Sequence, residues 1–113
     1  MLVELGDLIE MDFNPTVGHE PQKLRPALVV SVGCVNNVLS SLVMVCPITS
    51  GAKGHPLHIE LPDGCPVSGC ACVEAIRSVD LEAPSRHVRS LGASLDQETM
   101  GRVLEALGAS LGI

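Results

Sequence analysis

Residues 25–50 read RPALVVSVGCVNNVLSSLVMVCPITS, in which two apolar runs flank a short segment at 33–37. The first run, residues 26–31, is apolar without interruption, which is typical of a central strand buried on both faces. The second run, residues 39–48, has the same character and leads into a PITS motif. The glycine and asparagines between the runs indicate a turn. This stretch therefore predicts two buried strands of a β-sheet.

Shorter patterns of the same kind surround this stretch. Residues 6–14 alternate apolar and acidic side chains and residues 57–61 alternate apolar and polar ones, so each predicts a half-buried strand. Residues 69–78 follow a Pro-Asp-Gly turn and predict a fifth strand. Residues 15–24 contain two prolines and a glycine, which indicates a long loop after the first strand.

The C-terminal segment changes its hydrophobic period from two to about 3.6 residues. Apolar side chains there fall on one helical face, and Ser94 with Gln97 forms a capping box at the start of the predicted helix. We expect one domain over residues 1–113, mainly β with a C-terminal helix (α+β), in which about five or six strands form a small barrel closed by that helix. The apolar face comprises Met100, Val103, Leu104, Leu107 and Leu111.

The composition excludes several classes of protein. Of 113 residues, 46% are hydrophobic and 18% are charged, which is too apolar for a disordered chain. The apolar runs are far shorter than the ~20 residues that cross a bilayer, and no charged segment followed by an apolar one marks a secretory signal. We therefore expect a soluble cytoplasmic protein without a membrane partner.

The charge pattern bears on whether the chain binds nucleic acid. The formal net charge is −6, with one Phe and no Trp or Tyr, so the chain as a whole neither attracts phosphate nor offers rows of stacking rings. The acids are unevenly spread, however. Residues 13–59 contain one acid, Glu20, against Lys23, Arg25 and Lys53, a local net charge of +2 (3 − 1). The composition as a whole therefore argues against a nucleic-acid partner, but the loops around Arg25 and Lys53 are mildly basic.

Four residues of the basic segment have the side-chain types needed for metal-free RNA cleavage. Attack by a neighbouring 2′-hydroxyl requires a base for the hydroxyl proton, a cation for the charged phosphorane and a donor near the leaving oxygen. Glu20 or His19 is of the type of the base, Arg25 of the cation and Thr49 of the donor. Each type also has an ordinary structural use, in a solvated loop or at a strand end. Residue types alone leave both interpretations open.

The five cysteines divide into two groups. Cys34 and Cys46 lie in or beside apolar runs, and we expect both to be small, reduced core residues. The other three have the spacing C-x4-C-x-C, with His55 and His58 upstream, which raises a zinc site as an alternative. Because this spacing lacks the C-x2-C pair of most structural zinc sites, we expect isolated thiols, no metal and no other cofactor. The three thiols are Cys65, Cys70 and Cys72.

Five short motifs follow one another along the chain: DFNP at 12–15, GHE at 18–20, RPALV at 25–29, CPITS at 46–50 and IRSVD at 76–80. Together they resemble the MazF/PemK toxins of bacterial type II toxin–antitoxin systems. The resemblance implies a small SH3-like, plasmid-maintenance-toxin barrel of the MazF/CcdB kind that forms a homodimer. It also implies a sequence-specific, metal-independent endoribonuclease (an mRNA interferase) that cuts single-stranded RNA, arrests growth and is neutralised by a cognate antitoxin. Cleavage in the family usually leaves a 2′,3′-cyclic phosphate.

The resemblance assigns catalytic roles to four residues. Arg25 matches the family's catalytic arginine in the RP motif, and Thr49 matches the threonine at the end of its PxT strand. Glu20 matches a loop glutamate proposed as a base or positioning group in some members. His19 matches a histidine proposed to act in plasmid-borne members.

The resemblance also indicates RNA-binding residues and shows where this chain departs from the family. Ala75 stands where the family has Gln, Val38 where Arg is common, and Lys23 in a loop that usually contains Gln and Gly. These differences leave the preferred RNA sequence undetermined. Glu74 matches an acid with a catalytic role in one branch, but Cys72 replaces the basic residue upstream of it. The residues expected to bind RNA are Lys23, Ser50, Lys53, Glu74 and Arg77.

A second function is compatible with the same fold. Barrel toxins of this kind include noncatalytic members that bind and poison a protein target such as DNA gyrase. Such a toxin does not need Arg25 and Thr49, so the presence of both residues favours the ribonuclease.

Overall fold

A computed structural model of the protein describes residues 2–13, 24–32, 42–51 and 54–113. Within these ranges seven strands form one antiparallel sheet, followed by the helix α1 (Gln97–Ser110). The predicted class, mainly β with a C-terminal helix, is confirmed, and the strands exceed the expected five or six. The strands are β1 (Asp7–Met11), β2 (Arg25–Val29), β3 (Leu42–Thr49), β4 (His58–Glu60), β5 (Cys70–Cys72), β6 (Arg77–Asp80) and β7 (Arg89–Ser94).

The long strand β3 organises the sheet. The strand order is β4-β5-β3-β2-β1-β7, and β6 pairs with β3 outside this path. The first half of β3 pairs with β6, and its last two residues, Ile48 and Thr49, pair with β5. On its other edge, β3 pairs with β2. The C-terminal end of β3 is therefore the point where β2 and β5 lie on either side of one strand.

The prediction of a single fifth strand over residues 69–78 is wrong. The chain leaves β5 at Val73 and makes a 3-10 turn over Val73–Ala75, closed by a hydrogen bond from Ile76 N to Val73 O at 3.2 Å. This turn lets β5 and β6 pair with different halves of β3. The seventh strand, β7, has no predicted counterpart because its apolar alternation is limited to Leu91 and Ala93, which are half-buried and separated by a glycine.

Apolar side chains cover both faces of the sheet. In β2, Leu28 lies in one cluster with Met100 and Val103 of α1. Its neighbours Ala27 and Val29 lie in a second cluster on the opposite face. All three β2 side chains are fully buried. This two-sided burial explains the uninterrupted apolar sequence and confirms that the strand is central.

The first strand is shorter than the predicted 6–14. Beyond β1, Arg86 Nη1 donates to the carbonyl oxygens of Asp12 at 3.2 Å and Phe13 at 2.6 Å. These carbonyls are thus satisfied by a side chain and not by a neighbouring strand.

The capping box predicted from Ser94 and Gln97 is wrong. Ser94 is the last residue of β7, where its hydroxyl donates to Asp7 Oδ1 at 2.8 Å. The residue that caps α1 is Asp96, whose Oδ2 accepts a hydrogen bond from Thr99 N at 2.9 Å. Because Ser94 belongs to β7, the next polar residue in the sequence, Asp96, caps the helix.

The predicted apolar face of the helix is buried only in part. Met100 and Val103 are buried, and Leu107 packs at the edge of their cluster. Leu104 and Leu111 are 40% and 67% exposed, so these two residues of the apolar face do not pack on the sheet. Leu104 lies about 100° around the helix from Val103, which turns it away from the sheet. In the described part of the chain, no helix is long and apolar enough to cross a membrane.

Asp96→Ala should destabilise the protein at neutral pH, and the effect should shrink on acidification. Hydrogen bonds from Thr99 hold the pKa of the Asp96 carboxyl below its usual 3.8. A carboxyl with a lowered pKa stabilises the fold above its unfolded pKa and loses that contribution as the pH falls through the folded pKa. Urea unfolding at about pH 7 and about pH 3 measures the change, with Asp96→Asn, which still caps, as control. Equal destabilisation at both pH values would contradict this explanation.

Candidate active site

Arg25 and Thr49 lie side by side at one end of the sheet. Arg25 begins β2 and Thr49 ends β3. The antiparallel register pairs Leu28 with Cys46 and Ala27 with Pro47. Extension of this register by two residues toward the start of β2 places Arg25 opposite Thr49. Residues directly opposite in an antiparallel pair share one face of the sheet, so the structure brings these two predicted catalytic residues together.

Both residues line one cavity of about 310 Å³. Ser50, predicted to bind RNA, lines it too, and Ser68 closes it from the segment before β5. Arg25 is exposed and donates no hydrogen bond to any side chain in the described ranges. Its guanidinium is therefore accessible to an anion in the cavity, and its planar fork matches two phosphate oxygens.

The position of Thr49 is fixed by β5. Its hydroxyl Oγ1 lies 3.3 Å from Cys72 Sγ. The backbone of Gly69 passes so close that a Cβ there would lie 2.3 Å from Thr49 O, and Gly69 has a φ of +127°. Only glycine combines that conformation with that approach. Sequence reasoning missed both contacts, and its sole signal for Gly69 was a glycine directly before a strand.

A histidine–glutamate pair lies on the same face, one strand further along. Thr49 pairs with Cys70, and Cys72 pairs with His58, so these side chains share the face of β3, β5 and β4 opposite to that of Ile48 and Ala71. His58 Nε2 lies 2.6 Å from Glu74 Oε2 and 3.0 Å from Oε1. Glu74, expected to bind RNA, is therefore held by His58, which was named from the sequence only in the zinc alternative.

The other predicted RNA contacts are placed only in part. Arg77 is exposed on β6, with its guanidinium carbon 5.6 Å from the ring centroid of Phe13, a cation–π contact. It is thus fixed against the sheet edge near the end of β1. Four predicted residues lie outside the described ranges: His19, Glu20, Lys23 and Lys53.

The cysteines do not form the alternative zinc site. Cys70 and Cys72 are buried in β5, whereas Cys65 is half-buried in the preceding loop. Among the described residues, no cluster of metal-ligand side chains includes a cysteine. Cys46 is a buried core thiol as expected, and burial, with Cys72 and Glu74 nearby, raises its pKa to about 12. Cys34 lies outside the described ranges.

Comparison with known proteins identifies the family. Residues 4–111 match the model of the PemK-like, MazF-like toxin of type II toxin–antitoxin systems. The chain belongs to this family. The resemblance inferred from the five motifs is therefore confirmed, and the match spans the sheet and the helix of this MazF-like chain.

Relatives and solved structures agree with this assignment. The endoribonuclease toxin ChpB of Escherichia coli (strain K12) is 36% identical over 102 residues, covering 83% of this chain and 82% of ChpB. The crystal structure of MazF (Form-I) from Deinococcus radiodurans has a TM-score of 0.83 and 36% identity, covering 100% of this chain and 99% of that one. The MazE–MazF (Form-II) structure from the same organism has a TM-score of 0.82 and 33% identity, covering 100% and 98%. The MazF-like chain thus has the MazF fold over its whole length.

Proposed function

We propose that this MazF-like chain is a sequence-specific endoribonuclease toxin that cleaves single-stranded RNA at the cavity between Arg25 and Thr49. The observation that carries the proposal is the pairing of these two side chains on one face, beside an open cavity, with the guanidinium accessible. The relative ChpB, 36% identical, is named an endoribonuclease toxin, which supports the reaction class.

In the proposed reaction a base removes the proton of the RNA 2′-hydroxyl, and the oxygen attacks the adjacent phosphorus. The bond to the 5′-oxygen breaks, that oxygen takes up a proton, and a 2′,3′-cyclic phosphate remains. Arg25 stabilises the phosphorane charge and the Thr49 hydroxyl donates to a phosphate oxygen. Glu20, or His19 in its place, is proposed as the base. Ser50, Lys23, Lys53, Glu74 and Arg77 are proposed to bind the RNA strand.

The proposed partners follow from the family. Toxins of type II systems act together with an antitoxin, and MazF of Deinococcus radiodurans has been crystallised with MazE. We propose a cognate antitoxin, a homodimer and a cytoplasmic location, where transcripts are accessible. Because few basic side chains face the RNA, its affinity should depend only weakly on salt.

The purified chain should cut single-stranded RNA in the presence of EDTA and leave 5′-hydroxyl ends. Sequencing of the 5′ ends after induced expression should then show one short recognition motif. Growth arrest with intact transcripts would instead support the gyrase-poisoning alternative, which needs no catalytic pair.

Thr49→Val should lower the cleavage rate by about 100-fold, because it removes a hydroxyl donor while keeping the shape of the side chain. Initial rates on a labelled RNA at saturating enzyme measure the change. Thr49→Ser retains the hydroxyl and is the matched control, so most of its activity should remain. If Thr49→Val cleaves as fast as Thr49→Ser, the hydroxyl has no role in the reaction.

A further inference from the structure

Two imidazoles and a carboxylate converge beside β4, outside the cavity of Arg25 and Thr49. The ligand atoms of His55, His58 and Glu74 all lie within 4.8 Å of one another. The rings of His55 and His58 have their centroids 4.5 Å apart, and His58 Nε2 lies 2.6 Å from Glu74 Oε2. No other three metal-ligand side chains in the described ranges come this close.

Backbone hydrogen bonds hold the three side chains in this arrangement. His58 N donates to His55 O at 3.0 Å, a turn that brings the two rings together at the start of β4. Glu74 comes from the 3-10 turn, and Val73 N, next to it, donates to Leu57 O at 2.9 Å. The turn before β4 and the 3-10 turn are therefore fastened to each other, so the three ligands are positioned before any ion arrives.

The donor set selects the class of ion. Imidazole nitrogens with one carboxylate favour zinc and related transition metals, whereas magnesium and calcium prefer oxygen ligands. Two histidines and a glutamate leave one of four tetrahedral positions for water. His58 and Glu74 are 19% and 37% exposed and His55 is exposed, so an ion can enter from solvent.

We propose that His55, His58 and Glu74 form a binding site for one Zn²⁺ ion that fastens the turn before β4 to the 3-10 turn. The ion takes the place of the direct contact between His58 and Glu74, with metal–ligand distances of about 2.0–2.2 Å. At present His55 Nδ1 accepts a hydrogen bond from Leu57 N at 3.1 Å, which is exposed. The other ring nitrogen of His55, Nε2, makes no hydrogen bond with the described residues. The site shares Glu74 with the residues proposed to bind RNA, but its geometry and its test involve no RNA.

Titration of the chelator-treated, full-length protein with Zn²⁺ under reducing conditions tests the site. Isothermal calorimetry should give one ion per chain, and the midpoint of thermal unfolding should rise with Zn²⁺ because the ion binds only the folded arrangement. Mg²⁺ should produce neither effect. Each of His55→Ala and Glu74→Gln should weaken binding at least about tenfold and abolish the rise in the midpoint.

Two matched variants separate this site from other binding. His87→Asn removes an exposed imidazole elsewhere, at a φ of 51° that Asn tolerates, and should bind Zn²⁺ as the wild type does. Cys65→Ser removes the half-exposed thiol and should also bind normally. Circular dichroism before titration confirms that each variant is folded. Unchanged affinity in both His55→Ala and Glu74→Gln, or loss of binding in Cys65→Ser alone, would overturn the proposal.

Discussion

Arg25→Ala should reduce RNA cleavage by at least about 100- to 1000-fold while the protein stays folded. The guanidinium lines the cavity with Thr49 and donates to no side chain in the parts of the chain that the structure describes. Its removal therefore breaks no described contact, and the free energy of unfolding should change little. The loss should fall on kcat, because stabilisation of the phosphorane is realised mainly in the transition state.

Two further variants test whether the effect comes from the shape of the guanidinium and from its position at the cavity. Arg25→Lys keeps the charge but loses the planar fork that binds two phosphate oxygens, so its activity should lie between wild type and Arg25→Ala. Arg102→Ala removes an exposed arginine of α1, away from the cavity, and should cleave normally. Single-turnover rates and urea unfolding of all three variants provide the comparison. Full cleavage by Arg25→Ala would remove Arg25 from the active site and favour the noncatalytic alternative.

The elements that position this pair could be predicted from the sequence for a specific reason. The strand β2 and the second half of β3 are buried on two faces, which produces apolar runs. The run of β3 continues through Leu42 and Met44, although these two side chains are exposed. Arg25 and Thr49 are the polar residues at which those runs begin and end. The pattern thus located the strand ends that carry Arg25 and Thr49, and the family resemblance supplied their proposed roles. The register that sets Arg25 opposite Thr49 is visible only in the structure.

The rest of the site depends on contacts between distant parts of the chain. His58 and Glu74 are 16 residues apart, and their pairing requires the 3-10 turn that interrupts the predicted fifth strand. The turn residues 73–75, VEA, include no glycine, proline, asparagine or aspartate that would mark a turn, so the sequence did not indicate the interruption. The strand β7 pairs with β1, but only Leu91 and Ala93 of its side chains pack against the core, and the glycine between them weakens the strand pattern.

Gly69→Ala should both destabilise the protein and impair cleavage, although Gly69 has no chemical group to offer. The new Cβ would lie 2.3 Å from Thr49 O, 2.9 Å from Thr49 C and 3.3 Å from Ser50 N. All three are backbone atoms, so no side-chain rotation relieves the collision. The φ of +127° adds strain of about 1–3 kcal/mol for a residue with a Cβ. The end of β3 must therefore move away from β5, and Thr49 moves with it.

A displacement of about 1 Å at a catalytic group can cost about 100-fold in rate, so Gly69→Ala should approach the loss expected for Thr49→Val. Gly64→Ala is the matched control, because Gly64 also has a positive φ, +95°, but a Cβ there meets nothing within 4 Å. Gly64→Ala should show only the effect of backbone strain at a positive φ, without a collision. We expect a moderate loss of stability in urea and normal cleavage. The difference between the two variants isolates the contact between Gly69 and Thr49. If Gly69→Ala and Gly64→Ala were equally stable and equally active, the end of β3 could move away from the new Cβ without loss of stability. The position of Thr49 would then not depend on β5.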